Sequence, residues 1–222
     1  SFKMQAYRIY PQKRNLFSNL SVTTSIIFAN VILFLVFLII ATKFGWDYIA
    51  IKPANIIGGK YLWTILTSMF MHGGIFHIFA NMISLMFIGG LVEKLLGPKR
   101  YFWFYMLSGI FAGLLFVLLS LIFNIDLNTY AVGASGALFG LVGFLVLITP
   151  NLPVYLMFVP IPIKMKYAGP GILILLWFIS IAGSIPIGNT AHLGGLLAGL
   201  AYGIYIKTKY KNKSKMISKK FS

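Results

Sequence analysis

The chain has 222 residues, of which 59% are hydrophobic and only 10% charged, with a mean hydropathy of +0.89; a soluble domain carries about 25% charged residues, so a soluble core is excluded and a single multi-spanning helical bundle is predicted. The formal net charge is +16, from 19 Lys and Arg against 3 Asp and Glu, but the cations sit between apolar runs and in both tails without aromatic interleaving, which excludes a nucleic-acid partner and points to topology signals and lipid headgroups. Cysteine is absent, which removes disulfides, thiol catalysis and thiolate metal ligands.

Residues 1–24 form a basic N-terminal segment with Lys3, Arg8, Lys13 and Arg14. The first apolar run, about Ser25 to Thr42, lies far from the start and lacks a small-residue cleavage site, so it reads as a retained helix and not a signal peptide. Residues 43–76 mix Trp46, Tyr48, Pro53, Tyr61 and Trp63 with paired glycines, the composition of a segment lying in the membrane interface. Further spans are predicted at about His77 to Leu96, Tyr101 to Phe123 and Ala134 to Thr149, the last ended by Pro150 and Pro153. Residues 150–168 connect to a span at about Pro170 to Ile185, and residues 188–190 link tightly to another at about Ala191 to Ile206. From Lys207 on, lysines dominate with no core-forming pattern, and a disordered basic tail is expected.

The predicted fold is therefore an all-α membrane protein, a bundle of six transmembrane helices over residues 25–206 with an interfacial first loop and a basic tail at 207–222. With the N-terminus inside, inner segments hold the four N-terminal cations, then Lys94, Lys99 and Arg100, then Lys164 and Lys166, then the tail; outer segments hold only Lys43, Lys52 and Lys60. That asymmetry places both termini in the cytoplasm.

This topology puts His77 and Asn81, Ser135, and His192 near the outer ends of three different helices, and polar residues inside spans are functional candidates by default. The spans starting at Ala134 and Ala191 are short: about 16 residues cover about 24 Å of a roughly 30 Å hydrocarbon core. Their outer ends would sit below the surface under a wet depression. Gly136 and Gly140 on one helix, and Gly195, Gly199 and Gly203 on the other, recur at the four-residue spacing that lets backbones approach closely.

A serine hydroxyl needs a base to become a nucleophile, and His192 is the candidate base for Ser135. The only acids are Asp47, Glu93 and Asp126, none placed near that outer site, so a dyad and not a triad is expected. Taken singly, Ser135 reads as a helix N-cap and His192 as a packed histidine; taken together at one depth beside paired glycines, they read as catalytic. His77 and Asn81 share one helix face and can donate hydrogen bonds to an oxyanion, with the Ser135 N–H; interhelical bonding is the rival role. No metal or cofactor is called for: there is no HExxH, and His72 lies five residues before His77, a poor spacing for a shared face. Gly133-Ala134-Ser135-Gly136-Ala137 is not a GxSxG elbow, and Glu93 reads as a surface ion pair or loop anchor.

These residues resemble the rhomboid family of intramembrane serine proteases. The matching motifs are Gly133-Ala134-Ser135-Gly136, Ala191-His192-Leu193-Gly194-Gly195 with Gly199, His77-Ile78-Phe79-Ala80-Asn81 preceded by His72, and Gly89-Gly90 followed by Glu93. The resemblance implies Ser135 as nucleophile, His192 as general base, and an oxyanion hole of His77, Asn81 and the Ser135 backbone. It further implies a membrane-dipping loop at 43–76, a gate and cap made by the fifth span and the link at 186–190, and cleavage of transmembrane proteins near the outer face. The form implied is the six-span prokaryotic type. Two departures are visible: Thr64 follows Trp63 where the family often has Arg, and Phe139, four residues after the serine, stands where bacterial members often have Tyr. Phe139 can stack on His192 but has no hydroxyl.

Two other readings compete. A non-catalytic rhomboid-like escort of membrane proteins would share the fold, although known pseudoproteases lack the serine or the histidine and this chain keeps both. A transporter would need polar residues along a path through the bilayer, whereas here they cluster in the outer half.

Overall fold

The described residues of the computed structural model are 20–155, 161–183 and 188–220. Residues 1–19 of the N-terminal segment, residues 184–185 at the end of the expected fifth span and residues 186–187 of the link lie outside them. The long apolar runs are helical because they contain few breakers and bury or expose apolar side chains all round: α1 (Val22–Phe44), then α4 (Ile75–Ser84) continued through a π-helical stretch at Leu85–Gly89 into α5 (Gly90–Leu96), then α6 (Pro98–Phe123). Between them, α2 (Pro53–Ile57) and α3 (Thr64–Thr67) are single turns in the first loop. The chain continues with α7 (Ser135–Ile148), a small antiparallel hairpin of β1 (Pro153–Val154) and β2 (Ile163–Lys164), then α8 (Met165–Gly183), α9 (Asn189–Lys209) and α10 (Lys211–Lys220).

Four helical stretches among the described residues, not the expected six, are long and apolar enough to cross a bilayer: Val22–Phe44, Ile75–Leu96, Pro98–Phe123 and Met165–Gly183. α7 has 14 residues, a length of about 21 Å against a hydrocarbon core of about 30 Å. α9 has 21 residues, but Asn189, Thr190, His192, four glycines and the closing lysines dilute its apolar character. The physical reason is burial. Every residue of α7 from Gly136 to Leu145 is buried, so α7 meets protein and not lipid and has no need of a bilayer's thickness. The six-span form implied by the resemblance falls with that count. The chain is an all-α, multi-pass membrane bundle built around a short central helix.

The core lies around α7, where Leu141, Phe144 and Leu145 meet Tyr101, Phe104 and Tyr105 of α6. α6 runs antiparallel to α7: a Cβ on Gly136 would meet Ala112, and one on Gly140 would meet Ser108. α9 runs parallel to α7. Gly133, Ser135 and the starts of α4 and α9 thus share one end of the bundle, while Lys94, Lys99, Arg100, Lys164, Lys166 and the closing lysines of α9 collect at the other.

Glu93 is a loop anchor and more. Its Oε1 accepts the Val22 N–H at 2.8 Å, and its Oε2 accepts the Thr23 N–H at 2.9 Å and the Thr23 hydroxyl at 2.7 Å. A carboxylate on α5 thereby satisfies the free donors that open α1, which every helix leaves in its first turn. Among the described residues, Glu93 makes no ion pair with Lys94. The tail, expected to be disordered, is helical to Lys220. Ser214 is buried and Ile217, three residues on, packs against the main core. One small inward face suffices, and it is too sparse to register as an apolar pattern among lysines.

The first loop is tied down without arginine after Trp63. Trp63 Nε1 donates to the Tyr48 carbonyl at 2.9 Å, the Thr67 hydroxyl donates to the Ile49 carbonyl at 2.9 Å, and Ile51 pairs with Ala131 across a backbone bridge. Asp47 accepts from Asn55 Nδ2 at 2.7 Å and from the Tyr130 hydroxyl at 2.9 Å, with Lys52 Nζ 4.0 Å away. Desolvation acts to raise the Asp47 pKa, but these hydrogen bonds and the ammonium outweigh it and hold the carboxyl below its ordinary value.

Candidate active site

Ser135 is the first residue of α7, and Ala134, not a serine, is its N-cap; no side chain caps that end. The Ser135 hydroxyl instead lies 2.7 Å from His192 Nε2, on the first turns of α9. Ser135 is half-buried and His192 is 7% exposed, so the pair sits at the rim of the packed interior.

The approach of the two helices explains the contact. A Cβ on Gly195 would strike the Gly136 carbonyl oxygen, and one on Gly199 the Gly140 carbonyl oxygen; a Cβ on Gly143 would strike the Leu196 carbonyl oxygen. All these partners are backbone atoms and cannot swing aside, so only glycine allows α7 and α9 to lie this close. The same register brings residue 135 opposite residue 192. Phe139, one turn below Ser135, stacks on the His192 ring with centroids 4.7 Å apart and planes 25° apart, which fixes the ring's tilt. The Nδ1 atom of His192 is buried and has no hydrogen-bond partner among the described residues.

Gly133 sets the other wall. Its φ of +122° is open to glycine and strained for other residues, and its N–H donates to the Ser68 carbonyl at 2.8 Å. A Cβ there would lie 2.9 Å from both Cε1 and Nε2 of His77 and 3.6 Å from Ser135 Oγ. His77 therefore stands beside the serine. Its Nδ1 accepts the Gly73 N–H at 3.2 Å, so in the neutral ring the proton resides on Nε2, one of the two ring atoms that border Gly133. Asn81 is buried one turn along and donates from Nδ2 to the His77 carbonyl at 3.0 Å. That bond ties the Asn81 amide to the His77 turn.

His72 does not share a helix face with His77, yet the two rings meet edge to face at 5.1 Å because His72 lies in the loop before α4. It is 1% exposed, and its Nε2 accepts the Ala134 N–H at 3.5 Å. Burial, reinforced by the neighbouring His77, pushes its pKa down to about 3, so the ring is neutral near pH 7 and can accept that N–H. Among the described residues, no group of three His, Cys, Asp or Glu side chains could hold a metal ion. Sequence reasoning missed the Ser68 carbonyl that holds Gly133 and the His72 bond to Ala134; both join residues more than 60 positions apart, and no local signal announces them.

A family profile described as the Rhomboid domain matches residues 59–209. Among curated proteins, the chain is 38% identical to RHOMBOID-like protein 1 of Arabidopsis thaliana over 158 residues, which is 69% of this chain and 37% of that protein. It is 32% identical to Inactive RHOMBOID-like protein 8 of Arabidopsis thaliana over 62% of this chain and 36% of that one. It is 30% identical to Rhomboid protein 1, mitochondrial, of Saccharomyces cerevisiae over 64% of this chain and 41% of that one. The chain thus spans less than half the length of these relatives.

Proposed function

Because the chain belongs to the rhomboid family by the match across residues 59–209, we propose that it is an intramembrane serine endopeptidase in which Ser135 and His192 form a catalytic dyad. The observation that carries this reading is the 2.7 Å contact between Ser135 Oγ and His192 Nε2, on two helices locked together through glycine. The Ser135 oxygen attacks the carbonyl carbon of a substrate peptide bond as His192 Nε2 takes its proton. The negative oxygen that forms faces the Ser135 N–H at the opening of α7 and the Nε2–H of His77, with Asn81 supporting the His77 turn. When the C–N bond breaks, His192 returns the proton to the leaving amine. Water, activated by the same ring, then releases the acyl group from Ser135. Phe139 keeps the imidazole in plane throughout.

The substrates are membrane proteins with a segment that can unwind at the Ser135 end of the bundle. The cations collected at the opposite end support a cytoplasmic location for that end by the positive-inside tendency, with the site open to the extracytoplasmic side. The test is cleavage of a single-span reporter protein in liposomes. Ser135→Ala and His192→Ala should each abolish it, and the double variant should be little worse than either alone, since the two groups act as a unit. Undiminished cleavage by Ser135→Ala ends this reading.

A second reading, a membrane-protein escort without catalysis, is favoured by the similarity to a relative that is named inactive. A fluorophosphonate probe separates the two: labelling of the wild-type chain but not of Ser135→Ala supports the protease, and absence of labelling in both supports the escort.

A further inference from the structure

Two buried polar atoms on the first turn of α9 have no hydrogen-bond partner among the described residues: Nδ1 of His192 and Oδ1 of Asn189. The two residues are 7% and 8% exposed. α9 is helical from its start, where the His192 N–H donates to the Gly188 carbonyl at 3.0 Å. Residues three apart on such a helix are neighbours, with Cβ atoms about 5–6 Å apart. A helical side chain also leans over the turn before its own Cα, which carries the His192 ring toward Asn189.

The two atoms are complementary. With Nε2 accepting from the Ser135 hydroxyl, the neutral His192 ring carries its proton on Nδ1. That N–H is a donor without an acceptor, and Asn189 Oδ1 is an acceptor without a donor. The mismatch grows during reaction: once the Ser135 proton reaches Nε2, the buried ring is positively charged and an unanswered N–H costs more. No carboxylate answers it. Asp47 is taken up by Asn55 and Tyr130, Asp126 accepts from Thr129, and Glu93 holds the start of α1. Two other partnerless atoms near this end of the bundle are no substitute. His72 accepts the Ala134 N–H on Nε2, so its Nδ1 is itself a donor, and Ser108 lies against Gly140, a turn further along α7 than Gly136. An asparagine at a helix start often serves as its cap, but the cap of α9 is Gly188 and no side chain bonds there.

We propose that Asn189 is a positioning residue for His192, its amide oxygen turning to accept the Nδ1–H as the imidazole takes the Ser135 proton. The inference rests on the Ser135–His192 reading and deepens it. A neutral amide holds the ring in the tautomer that leaves Nε2 free to accept, without the desolvation cost of a buried carboxylate. Phe139 then fixes the ring by its face and Asn189 by its edge.

The test uses the full chain in liposomes with the single-span reporter. Asn189→Leu keeps the bulk and removes the acceptor; kcat should fall about 10- to 100-fold, the scale for a hydrogen bond to a charged group. KM should stay within about twofold, because the bond forms only as the reaction proceeds. Asn189→Asp keeps an acceptor oxygen and should restore most of the rate. Unfolding midpoints in detergent check that each variant is folded. The chain has three histidines, so nitrogen-15 histidine labelling gives a spectrum that can be assigned. After Ser135 is modified by a fluorophosphonate, the His192 Nδ1–H should appear as a hydrogen-bonded proton in wild type and Asn189→Asp, and move upfield in Asn189→Leu.

The outcomes separate the two readings. A wild type that neither cleaves nor labels overturns the dyad, and this inference with it. A wild type that cleaves and labels, beside an Asn189→Leu chain of equal kcat, overturns the role of Asn189 alone. A loss in Asn189→Asp as large as in Asn189→Leu would make Asn189 a packing residue and overturn the inference as well.

Discussion

α7 meets α9 and α8 in opposite ways. Along α9 the contact is backbone to backbone, with Gly195 against the Gly136 carbonyl and Gly199 against the Gly140 carbonyl. Along α8 it is made by side chains and by the first half only: Met165, Ala168, Gly169 and Leu173 are buried, and beyond Leu173 every described residue of α8 is exposed or half-buried. Gly169 faces Val142 and Val146, so α8 runs antiparallel to α7 and its loose half lies toward Ser135. A seam with no yielding atom has one register, and that register is what sets Ser135 beside His192. A helix held at one half can leave the other half to the lipid. One neighbour of α7 sets Ser135 against His192, and the other, among the described residues, packs on α7 along its first half only.

The seam is broken most directly by Gly199→Val. The new side chain meets backbone on α7, and relief requires the helices to part. A misplacement of about 1 Å can cost about 10² in rate, so reporter cleavage in liposomes should fall by at least about that factor, with a lower unfolding midpoint in detergent. Wild-type cleavage by this variant would mean that the seam does not set the dyad. Gly133→Ala comes next. It places an L-residue at a φ of +122° and pushes on the His77 ring, while leaving α7 and α9 in contact. The expected signature is a drop in kcat of roughly 10², the scale for losing one oxyanion donor, with KM little changed. An equal rise in KM would assign His77 to substrate binding instead.

Much of this contrast was legible beforehand, and what was not has a physical cause. Gly136, Gly140, Gly195 and Gly199 mark close helix packing through their spacing alone, and Ser135 and His192 are legible because polar residues are rare in apolar runs. The span count was not legible, since hydropathy measures how apolar a run is and not whether lipid or protein covers it. α7 is apolar because it is the core. The Glu93 carboxylate at the start of α1 was beyond reach for another reason: it joins residues 70 and 71 positions apart, and no periodicity links them. α10 escaped because its inward face amounts to little more than Ser214 and Ile217 among lysines.

The wall behind Ser135 and His192 can be tested through pH. His72 is held down from 6.5 to about 3 by burial and by His77. Below pH 6.5 the unfolded chain takes up a proton that the folded chain refuses until about pH 3, so this group's contribution is complete above pH 6.5 and is lost as pH falls through that window. The slope cannot exceed about 1.4 kcal/mol per pH unit for one proton. Unfolding midpoints of the wild type in detergent should therefore decline more steeply below pH 6.5 than those of His72→Gln. Identical slopes would remove His72 from the account of acid sensitivity.

The smallest effect belongs to the loose half of α8, and it is the sharpest control on the contrast. Phe178 is 68% exposed, so Phe178→Ala removes contact with the surroundings and leaves no protein cavity. Substitutions of that kind shift stability by about 0.5 kcal/mol or less. Its unfolding midpoint in detergent should match wild type, at a position only five residues beyond buried Leu173. A fall as large as that of Gly199→Val would mean that α8 is packed along its whole length. Under the proposed function, a substrate helix would then have to reach Ser135 past the first loop instead.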